Sequence, residues 1–355
     1  MIDPRCFEME WITHHGEVMR CRSLGLLEKA IVALQLLAHL VESGLPIQFK
    51  GGTSLLLRLN PPRRLSIDID IVTQAAPAEL LAVLDTVSKH SPLGGYEHDA
   101  ERDRELPPKK HFRVFYPSVI EPKRDHVLLD VLFEPEASPH CEPVSIATSF
   151  ITPEREVRVL VPTVNSLLGD KLTAFAPRTI GILHHERRRT DIVKQLFDVA
   201  SLFDAATDLA VVADVYAAIH ARQLVYRQAS YTVEETLNDT IESALLYTQI
   251  GLRGGVETPE GLAIAQGVNN LQNHLVNQPF RTDEARLAAA KAACAAAWIQ
   301  KRPTLTIDDL RFDPAQINQL RDQQIAAPWL PLNRLKGANA EAFHYWFQAR
   351  RLLIS

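Results

Sequence analysis

The first part of the chain alternates between two hydrophobic periods, one typical of helices and one typical of strands. Apolar residues recur at helical spacing over residues 24–43, and Gly44 follows as a stop signal. A short apolar segment at 46–50 then leads into Gly51 and Gly52. This order predicts a helix, a strand and a tight glycine turn in succession.

Strict alternation marks residues 65–71 as a strand with two unlike faces. Every odd position is Leu or Ile, whereas the even positions are Ser66, Asp68 and Asp70. Successive strand side chains point to opposite faces of a sheet, so the three polar side chains share one face. We therefore expect a buried apolar face and a polar face that is able to carry chemistry.

The rest of the pattern changes from mixed to purely helical along the chain. Strands are predicted at 111–116 and 126–133, with an edge strand at 157–161, and helices at 53–59, 79–89, 167–175, 190–203 and 284–299. Strand signals end near residue 205. The expected fold class is an α/β (α+β) domain with a small mixed sheet over residues 1–205, followed by an all-α C-terminal domain over residues 206–355.

Length and composition fit two globular domains and limit the way in which a polyanion could bind. The 355 residues are 46% hydrophobic, with a formal net charge of −5 and a pI near 6.2. This charge gives no global attraction to nucleic acid. An RNA partner would have to meet a local basic surface.

Several signals favour a cytoplasmic protein that does not bind a membrane. The N-terminal residues lack the basic-then-apolar layout of a signal peptide, and no uncharged stretch is long enough to cross a bilayer. The cysteines lie far apart without CxxC spacing, at Cys6, Cys21, Cys141 and Cys294. This spacing argues against a zinc site or a disulfide framework.

The first candidate for chemistry is the glycine turn. A strand that delivers Gly51 and Gly52 to the start of a helix brings bare backbone N–H groups and a positive dipole end to one point, which suits phosphate groups. The spacing GxxxxGK[ST] of a Walker loop is missing. Simple turn geometry explains the two glycines equally well.

The second candidate is the pair Asp68 and Asp70. Two carboxylates that project from the same strand face need a counter-charge, and Mg²⁺ or Mn²⁺ shared with substrate phosphates supplies one. Asp130 interrupts the apolar run 127–133, so it is expected to join this pair from a neighbouring strand. The alternative is that all three acids lie on solvated strand surfaces.

These residues resemble a known family. Residues 49–55 (FKGGTSL) followed by 65–70 (LSIDID) are similar to the hG[GS]…DxD signature of the polymerase-β-like nucleotidyltransferase superfamily. More narrowly, they resemble the AbiEii/AbiGii toxin family, which includes the mycobacterial MenT toxins. Residues 168–177 (LGDKLTAFAP) and 191–198 (DIVKQLFD) match further segments of that family in the same order. The resemblance covers roughly residues 25 to 205.

The resemblance implies a role for each matching position. Those implied to bind nucleotide are Gly51, Gly52, Thr53, Ser54 and Lys171, and those implied to be catalytic are Asp68, Asp70, Asp130, Lys171, Asp191 and Asp198. In this assignment Asp68, Asp70 and Asp130 also bind the metal. Open alternatives are a snorkelling surface lysine at Lys171 and a helix N-cap at Asp191.

The resemblance also implies an RNA acceptor and a regulatory partner. Candidate RNA contacts are Lys50, Arg58, Arg63, Arg64, Arg187, Arg188 and Arg189, although such basic runs are usually solvated loops. In relatives, the hydroxyl at the place of Ser66 is a target for phosphorylation by the cognate antitoxin. An ordinary strand serine is the alternative for Ser66.

The function expected from the resemblance is that of a toxin from a toxin-antitoxin system. Such an enzyme transfers a nucleoside monophosphate from an NTP to an acceptor, here the 3′ end of tRNA, and so blocks translation. Two other hypotheses stay open: a nucleotidyltransferase that modifies a small molecule or a protein, and a non-catalytic nucleotide-binding module.

Overall fold

A computed structural model describes residues 1–135 and 138–354. By its internal contacts the chain divides into two compact units: unit 1 comprises 1–163 together with 273–278, and unit 2 comprises 164–272 and 279–355. Unit 2 begins at residue 164, earlier than the predicted domain boundary at residue 205. The short segment 273–278 belongs to unit 1 although it lies far along the sequence. The boundary between functional domains stays a prediction.

In the residues that the structure describes, unit 1 contains a sheet and four α-helices. The helices are α1 (Met9–Val18), α2 (Leu24–Glu42), α3 (Leu55–Arg58) and α4 (Pro77–Val87). The strands are β1 (Ile47–Lys50), β2 (Ile69–Thr73), β3 (Tyr96–His98), β4 (Lys109–Pro117), β5 (Arg124–Phe133), β6 (Cys141–Ser145) and β7 (Arg158–Pro162).

The seven strands form one mixed sheet in the order β3-β4-β5-β2-β1-β7-β6. Two neighbouring pairs, β1 with β7 and β2 with β5, are parallel, and the others are antiparallel. The expectation of an edge strand at 157–161 is wrong, because β7 lies inside the sheet and β6 covers its outer side. The sequence of β6, CEPVS, carries almost no hydrophobic alternation, so nothing in the pattern revealed it.

The sheet of unit 1 has one apolar face and one polar face. Phe49, Ile71, Leu129 and Phe112 are fully buried on the apolar face, where α2 and α4 contribute to the same core. Alternation then places the residues between them on the other face of the sheet. The polar face carries the candidate chemistry.

Helix α2 is the main apolar helix of unit 1. It is long and apolar enough to cross a membrane by length and composition, with a mean hydropathy of 1.7, but 67% of that stretch is buried inside the protein. Leu27, Ile31 and Leu34 are fully inaccessible to solvent. Burial of this kind is expected of a core helix.

The strand predicted at 65–71 is only partly formed. Strand β2 begins at Ile69, while the stretch before it pairs with the distant segment 273–278. The N–H group of Leu65 donates to the carbonyl oxygen of His274 at 2.7 Å, and Val276 N–H donates to the Arg63 carbonyl at 3.1 Å. A partner so far away in sequence could not be inferred from local alternation.

Unit 2 is helical throughout the part that the structure describes. Its helices are α5 (Val164–Ala174), α6 (Arg189–Ala205), α7 (Leu209–Arg227), α8 (Val233–Gln249), α9 (Pro259–Leu271), α10 (Thr282–Lys301), α11 (Ile307–Leu310), α12 (Leu335–Ala338) and α13 (Ala340–Ile354). The predicted helices at 167–175, 190–203 and 284–299 are confirmed as α5, α6 and α10. The predicted fold class, a mixed-sheet α/β region followed by a helical region, is confirmed as well.

Candidate active site

The glycine turn and Asp70 are in direct contact. Gly51 follows β1 with a φ of +75°, a conformation that L-residues rarely adopt. A Cβ atom at this position would overlap the carboxylate of Asp70. Ser54 Oγ donates to the carbonyl oxygen of Gly51 at 2.8 Å and braces the turn. The sequence therefore needs glycine here so that the acidic side chain can reach the turn backbone.

The next residues tie the turn to the stretch that carries Asp68. Thr53 Oγ1 lies 2.5 Å from the carbonyl oxygen of Asp68 and 3.0 Å from Ser66 Oγ. Thr53 and Ser54 are both fully buried. Their hydroxyl groups are engaged inside the protein, so any nucleotide contact from these residues would come through the backbone.

Four polar residues form a row across four neighbouring strands. Lys50 of β1 pairs with Asp70 of β2, which pairs with Asp130 of β5. Asp130 pairs in turn with His111 of β4. Adjacent strands are about 4.8 Å apart, so each member of the row lies beside the next. The sequence-based expectation that Asp130 is a neighbour of Asp70 is therefore met by the strand register.

The charges around Asp70 compete with one another. Burial raises the pKa of Asp70 to about 6, and the nearby carboxylates of Asp130 and Asp68 add to this rise. The ammonium groups of Lys109 and Lys50 oppose it. A cation that came close to this carboxylate would favour its ionised form. Burial is thus the main reason that the ionised form of Asp70 is disfavoured at this site.

Asp130 has basic neighbours of its own. His111 Nδ1 lies 2.7 Å from Asp130 Oδ1, and Arg102 Nη2 lies 3.6 Å from Asp130 Oδ2. His111 is only 6% exposed, so this contact is shielded from water. The register brings Asp130 to the site, and these two side chains hold its carboxylate there.

The donor set fits a divalent cation that takes part of its coordination from substrate. Asp68 and Asp70 supply hard carboxylate oxygens, and the pKa of Asp70 is raised mainly because burial disfavours its charged form. Within residues 1–135 and 138–354, no group of three or more His, Cys, Asp or Glu side chains is arranged to hold a metal ion. Metal binding by Asp130 as a third carboxylate stays a prediction.

A second set of candidate residues lies in unit 2. Lys171 on α5 is 6% exposed and forms an ion pair with the buried Asp198 of α6, with Nζ and Oδ2 3.1 Å apart. Lys171 also donates to Gln195 Oε1 at 3.0 Å. The alternative of a snorkelling surface lysine is therefore wrong, because the ammonium group has a buried anionic partner.

Asp191 differs from Asp198 although both lie on α6. Its side chain is 42% exposed, and its Oδ1 lies 3.7 Å from Lys194 Nζ. The helix N-cap is Arg188, so Asp191 occupies the first turn and is not the capping residue. Its sequence-based role in catalysis stays a prediction.

The basic residues proposed for RNA contact differ in their surroundings. The guanidinium of Arg58 donates to the carbonyl oxygens of Pro162 and Val161, at 2.8 and 2.6 Å, and pairs with Glu142 at 3.0 Å. An RNA contact by Arg58 would have to displace these bonds. Arg64 is 8% exposed and donates from Nη1 to the carbonyl oxygen of Leu65.

Other members of that set are more accessible. Lys50 is partly exposed in the polar row, and Arg63 is also partly exposed. Arg187 and Arg188 are exposed on a short 3-10 helix, whereas Arg189 donates to Gln266 on α9. RNA contact by any of these residues stays a prediction.

Sequence reasoning missed three basic residues around the acids: Arg102, Lys109 and His111. Arg102 and Lys109 fall in the charged segment 96–110, for which no helix or strand was predicted. His111 opens a predicted strand, and its antiparallel pairing with Asp130 depends on a register that the sequence does not encode locally. The one signal for this contact in the sequence was that the strands predicted at 111–116 and 126–133 could be aligned as a hairpin.

A glycine turn in contact with Asp70 on the polar face of a mixed sheet, with Asp68 just before the same strand, defines the class as nucleotidyltransferase-like. The family comparison agrees: the nucleotidyl transferase AbiEii toxin family of type IV toxin-antitoxin systems matches residues 35–249. This match covers more than half of the chain. The protein belongs to the AbiEii family.

Solved structures and curated sequences add little beyond this. The crystal structure of JHP933 from Helicobacter pylori aligns with a TM-score of 0.45 and 14% identity, over 83% of this chain and 99% of that one. A second H. pylori chain, provisionally assigned as a nucleotidyltransferase, aligns with a TM-score of 0.42 and 14% identity, over 81% and 96%. No curated protein sequence matches. At these levels neither alignment bears on the chemistry of the site.

Proposed function

We propose that this protein is a toxin that transfers a nucleoside monophosphate from an NTP to the 3′ end of tRNA and so blocks translation. The observation that carries the proposal is the contact between the Asp70 carboxylate and the backbone of Gly51. It puts an acidic group, with Asp68 close by, beside a turn suited to phosphates. Membership of the AbiEii family supports the same reaction class.

The reaction joins the acceptor to the α-phosphate of the nucleotide. The acceptor hydroxyl oxygen forms a bond to the α-phosphorus, the bond to the bridging oxygen of the β-phosphate breaks, and pyrophosphate leaves with that electron pair. Asp68 and Asp70 would hold Mg²⁺ or Mn²⁺, which when bound neutralises charge on the phosphates. Asp130 would receive the proton of the acceptor hydroxyl or orient that hydroxyl, and Gly51 and Gly52 would bind phosphate oxygens through their N–H groups.

Residues of unit 2 complete the proposal. Lys171 would bind the triphosphate, with Asp198 fixing its ammonium group, as the family resemblance implies. The family match at 35–249 spans these residues as well as the glycine turn. We further propose a cytoplasmic location away from membranes, an antitoxin partner, and Ser66 as the hydroxyl through which that partner could act by phosphorylation.

One labelling experiment tests the acceptor class. The purified protein is incubated with Mg²⁺, each α-³²P-labelled NTP in turn, and a mixture of total RNA, protein and small metabolites. We expect label in RNA of tRNA size, removed by 3′-exonuclease. Label in protein or in small molecules would reject the tRNA acceptor, and binding of NTP without transfer to any fraction would indicate a non-catalytic module.

The variant Asp68→Ala tests the chemistry itself. Loss of one of two carboxylates at the proposed metal site is expected to lower transfer at least ~100-fold. The turn should stay folded, because Thr53 donates to the main-chain oxygen of Asp68, which Asp68→Ala retains. Asp322→Ala, an exposed acid in unit 2, is the matched control. Full activity of Asp68→Ala would rule out the proposed site.

A further inference from the structure

A pocket of about 470 Å³ lies where β4 begins and β5 ends in unit 1. Its lining includes Arg104, Lys109, Lys110 and Phe133. The acids Asp103 and Glu105 line it as well. The volume lies within the range typical of small-ligand sites.

Arg104 and Lys109 face each other across a two-way backbone hydrogen bond. Arg104 N–H donates to the Lys109 carbonyl at 3.0 Å, and Lys109 N–H donates to the Arg104 carbonyl at 2.9 Å. Side chains of such an antiparallel pair leave on the same face, where two like charges destabilise the pairing. Among the residues that the structure describes, no acid lies within ion-pair distance of either side chain.

The acids beside this pair do not remove the excess charge. Asp103 accepts from the backbone N–H of His111 at 3.1 Å and from His98, and it pairs with Lys110 at 3.5 Å. Glu105 also lines the pocket but is solvent-exposed. An anion bound between Arg104 and Lys109 would relieve their repulsion.

Lys109 connects this pocket with the acidic row. Lys109 lies two residues before His111 on β4, so the two side chains project to the same face of the sheet. His111 pairs with Asp130, which pairs with Asp70. Lys109 therefore lines the pocket and also lies on the face of the sheet that carries the polar row. A ligand held by Lys109 would have its next atoms close to the carboxylates.

We propose that the pocket bounded by Arg104, Lys109, Lys110 and Phe133 binds the 3′-terminal segment of the RNA acceptor and presents its terminal hydroxyl to the Asp68–Asp70 site. This inference rests on the proposed function. Arg104 and Lys109 contact backbone phosphates, and the Phe133 ring offers a stacking surface to an unpaired base. Single-stranded RNA ends are recognised by this combination of cations and aromatic rings.

The test measures RNA binding without NTP and transfer kinetics with NTP. The probe is a fluorescent RNA hairpin with a single-stranded 3′ tail, compared with the same hairpin lacking the tail. Lys109→Gln and Arg104→Gln should each raise the Kd and the KM for the tailed RNA about tenfold. The KM for NTP should stay unchanged in Arg104→Gln, because Arg104 lies outside the row of charges around Asp70. Each should also reduce the slope of log Kd against log salt by about one.

Two further variants are matched controls. Glu105→Gln removes the exposed acid of the pocket and should lower the Kd for tailed RNA, a gain that a damaged fold could not produce. Lys89→Gln makes the same charge change at an exposed lysine outside this pocket and should leave the Kd unchanged.

The outcomes separate this inference from the proposed function. If the wild-type protein labels RNA but Lys109→Gln and Arg104→Gln behave like Lys89→Gln, the pocket assignment is overturned. A rise in the KM for NTP alone would assign the two cations to the nucleotide and overturn it equally. If wild-type protein labels no RNA yet binds the tail through Lys109, the pocket stands and the proposed function fails.

Discussion

At the scale of single residues, Gly51 combines two requirements that only glycine meets. Its φ of +75° strains any other residue, and a Cβ atom would overlap the Asp70 carboxylate. Gly44 has a similar φ of +83°, but no atom lies within 4 Å of the position of its Cβ. A comparison of the two glycines therefore separates the effect of backbone strain from the effect of displacing the Asp70 carboxylate.

We predict that Gly51→Ala abolishes transfer whereas Gly44→Ala does not. Both variants should lose about 1–2 kcal/mol of stability through positive-φ strain. Only Gly51→Ala moves Asp70, so only this variant should lose at least ~100-fold in transfer at a temperature where both are folded. Chemical denaturation and the transfer assay measure the two effects, and equal activity of the two variants would contradict the proposed role of the turn.

His111 contacts Asp130, and the role that we predict for it is to orient that carboxylate. We predict that His111→Leu lowers kcat about tenfold with little change in the KM for NTP, because Asp130 loses the contact that orients it. His111→Asn retains an N–H donor and should recover part of the kcat. Steady-state kinetics on the two variants test this. A purely structural histidine would instead give equal losses in both variants.

At the scale of elements, α2 carries a buried histidine that links its packing to pH. His39 is 9% exposed, and burial, followed by the charge of His90, lowers its pKa to about 4. In the unfolded chain the pKa is near 6.5. Between these values the unfolded chain binds a proton that the folded chain does not. The contribution of the neutral, buried His39 to the free energy of unfolding is therefore complete above pH 6.5, and it is lost as pH falls towards 4.

We predict that His39→Gln flattens this acid loss of stability. The wild-type free energy of unfolding should fall by up to ~1.4 kcal/mol per pH unit below about pH 6.5 on account of this one group. The amide oxygen introduced by His39→Gln can still accept a hydrogen bond from Gln35, which donates to the ring in the wild type. Urea denaturation at several pH values measures the slope, with His14→Gln as the exposed control. An unchanged slope in His39→Gln would refute the assignment.

Elements with strong periodicity were predicted well, and elements defined by pairing were not. Helices α2, α5 and α10 and strands β4 and β5 follow clear apolar patterns. Strand β6 is polar and short, and β3 has three residues of weak pattern, so both owe their structure to neighbouring strands. The interior place of β7 was missed for the same reason, because strand order depends on pairing and not on composition.

At the scale of the whole molecule, a segment far along the chain completes unit 1. Val276 is 2% exposed in the unit 1 core, and its backbone pairs with the stretch before Asp68. A domain that ended at residue 205 would lack this segment. The conformation of the residues just before Asp68 therefore depends on the segment 273–278, which lies much later in the sequence.

We predict that Val276→Ala destabilises the protein by about 2 kcal/mol through lost burial and a small cavity. The amide of Leu65 should also exchange with deuterium faster, since its acceptor His274 lies in the same segment. Hydrogen exchange followed by mass spectrometry and thermal melting measure both effects. Val256→Ala, at a position 59% exposed, is the control and should change neither.

The amino-acid sequence by itself determined the class of site. Glycine pair, alternating carboxylates and family signature are local features, and local features depend only on residue type and spacing. The buried partner of Lys171, the His111 contact of Asp130 and the cation pair at Arg104 and Lys109 were decided by tertiary structure. Each of these contacts joins residues of different segments through strand register or helix packing. Such a contact forms only when the two segments pair, so the sequence of either segment alone does not predict it.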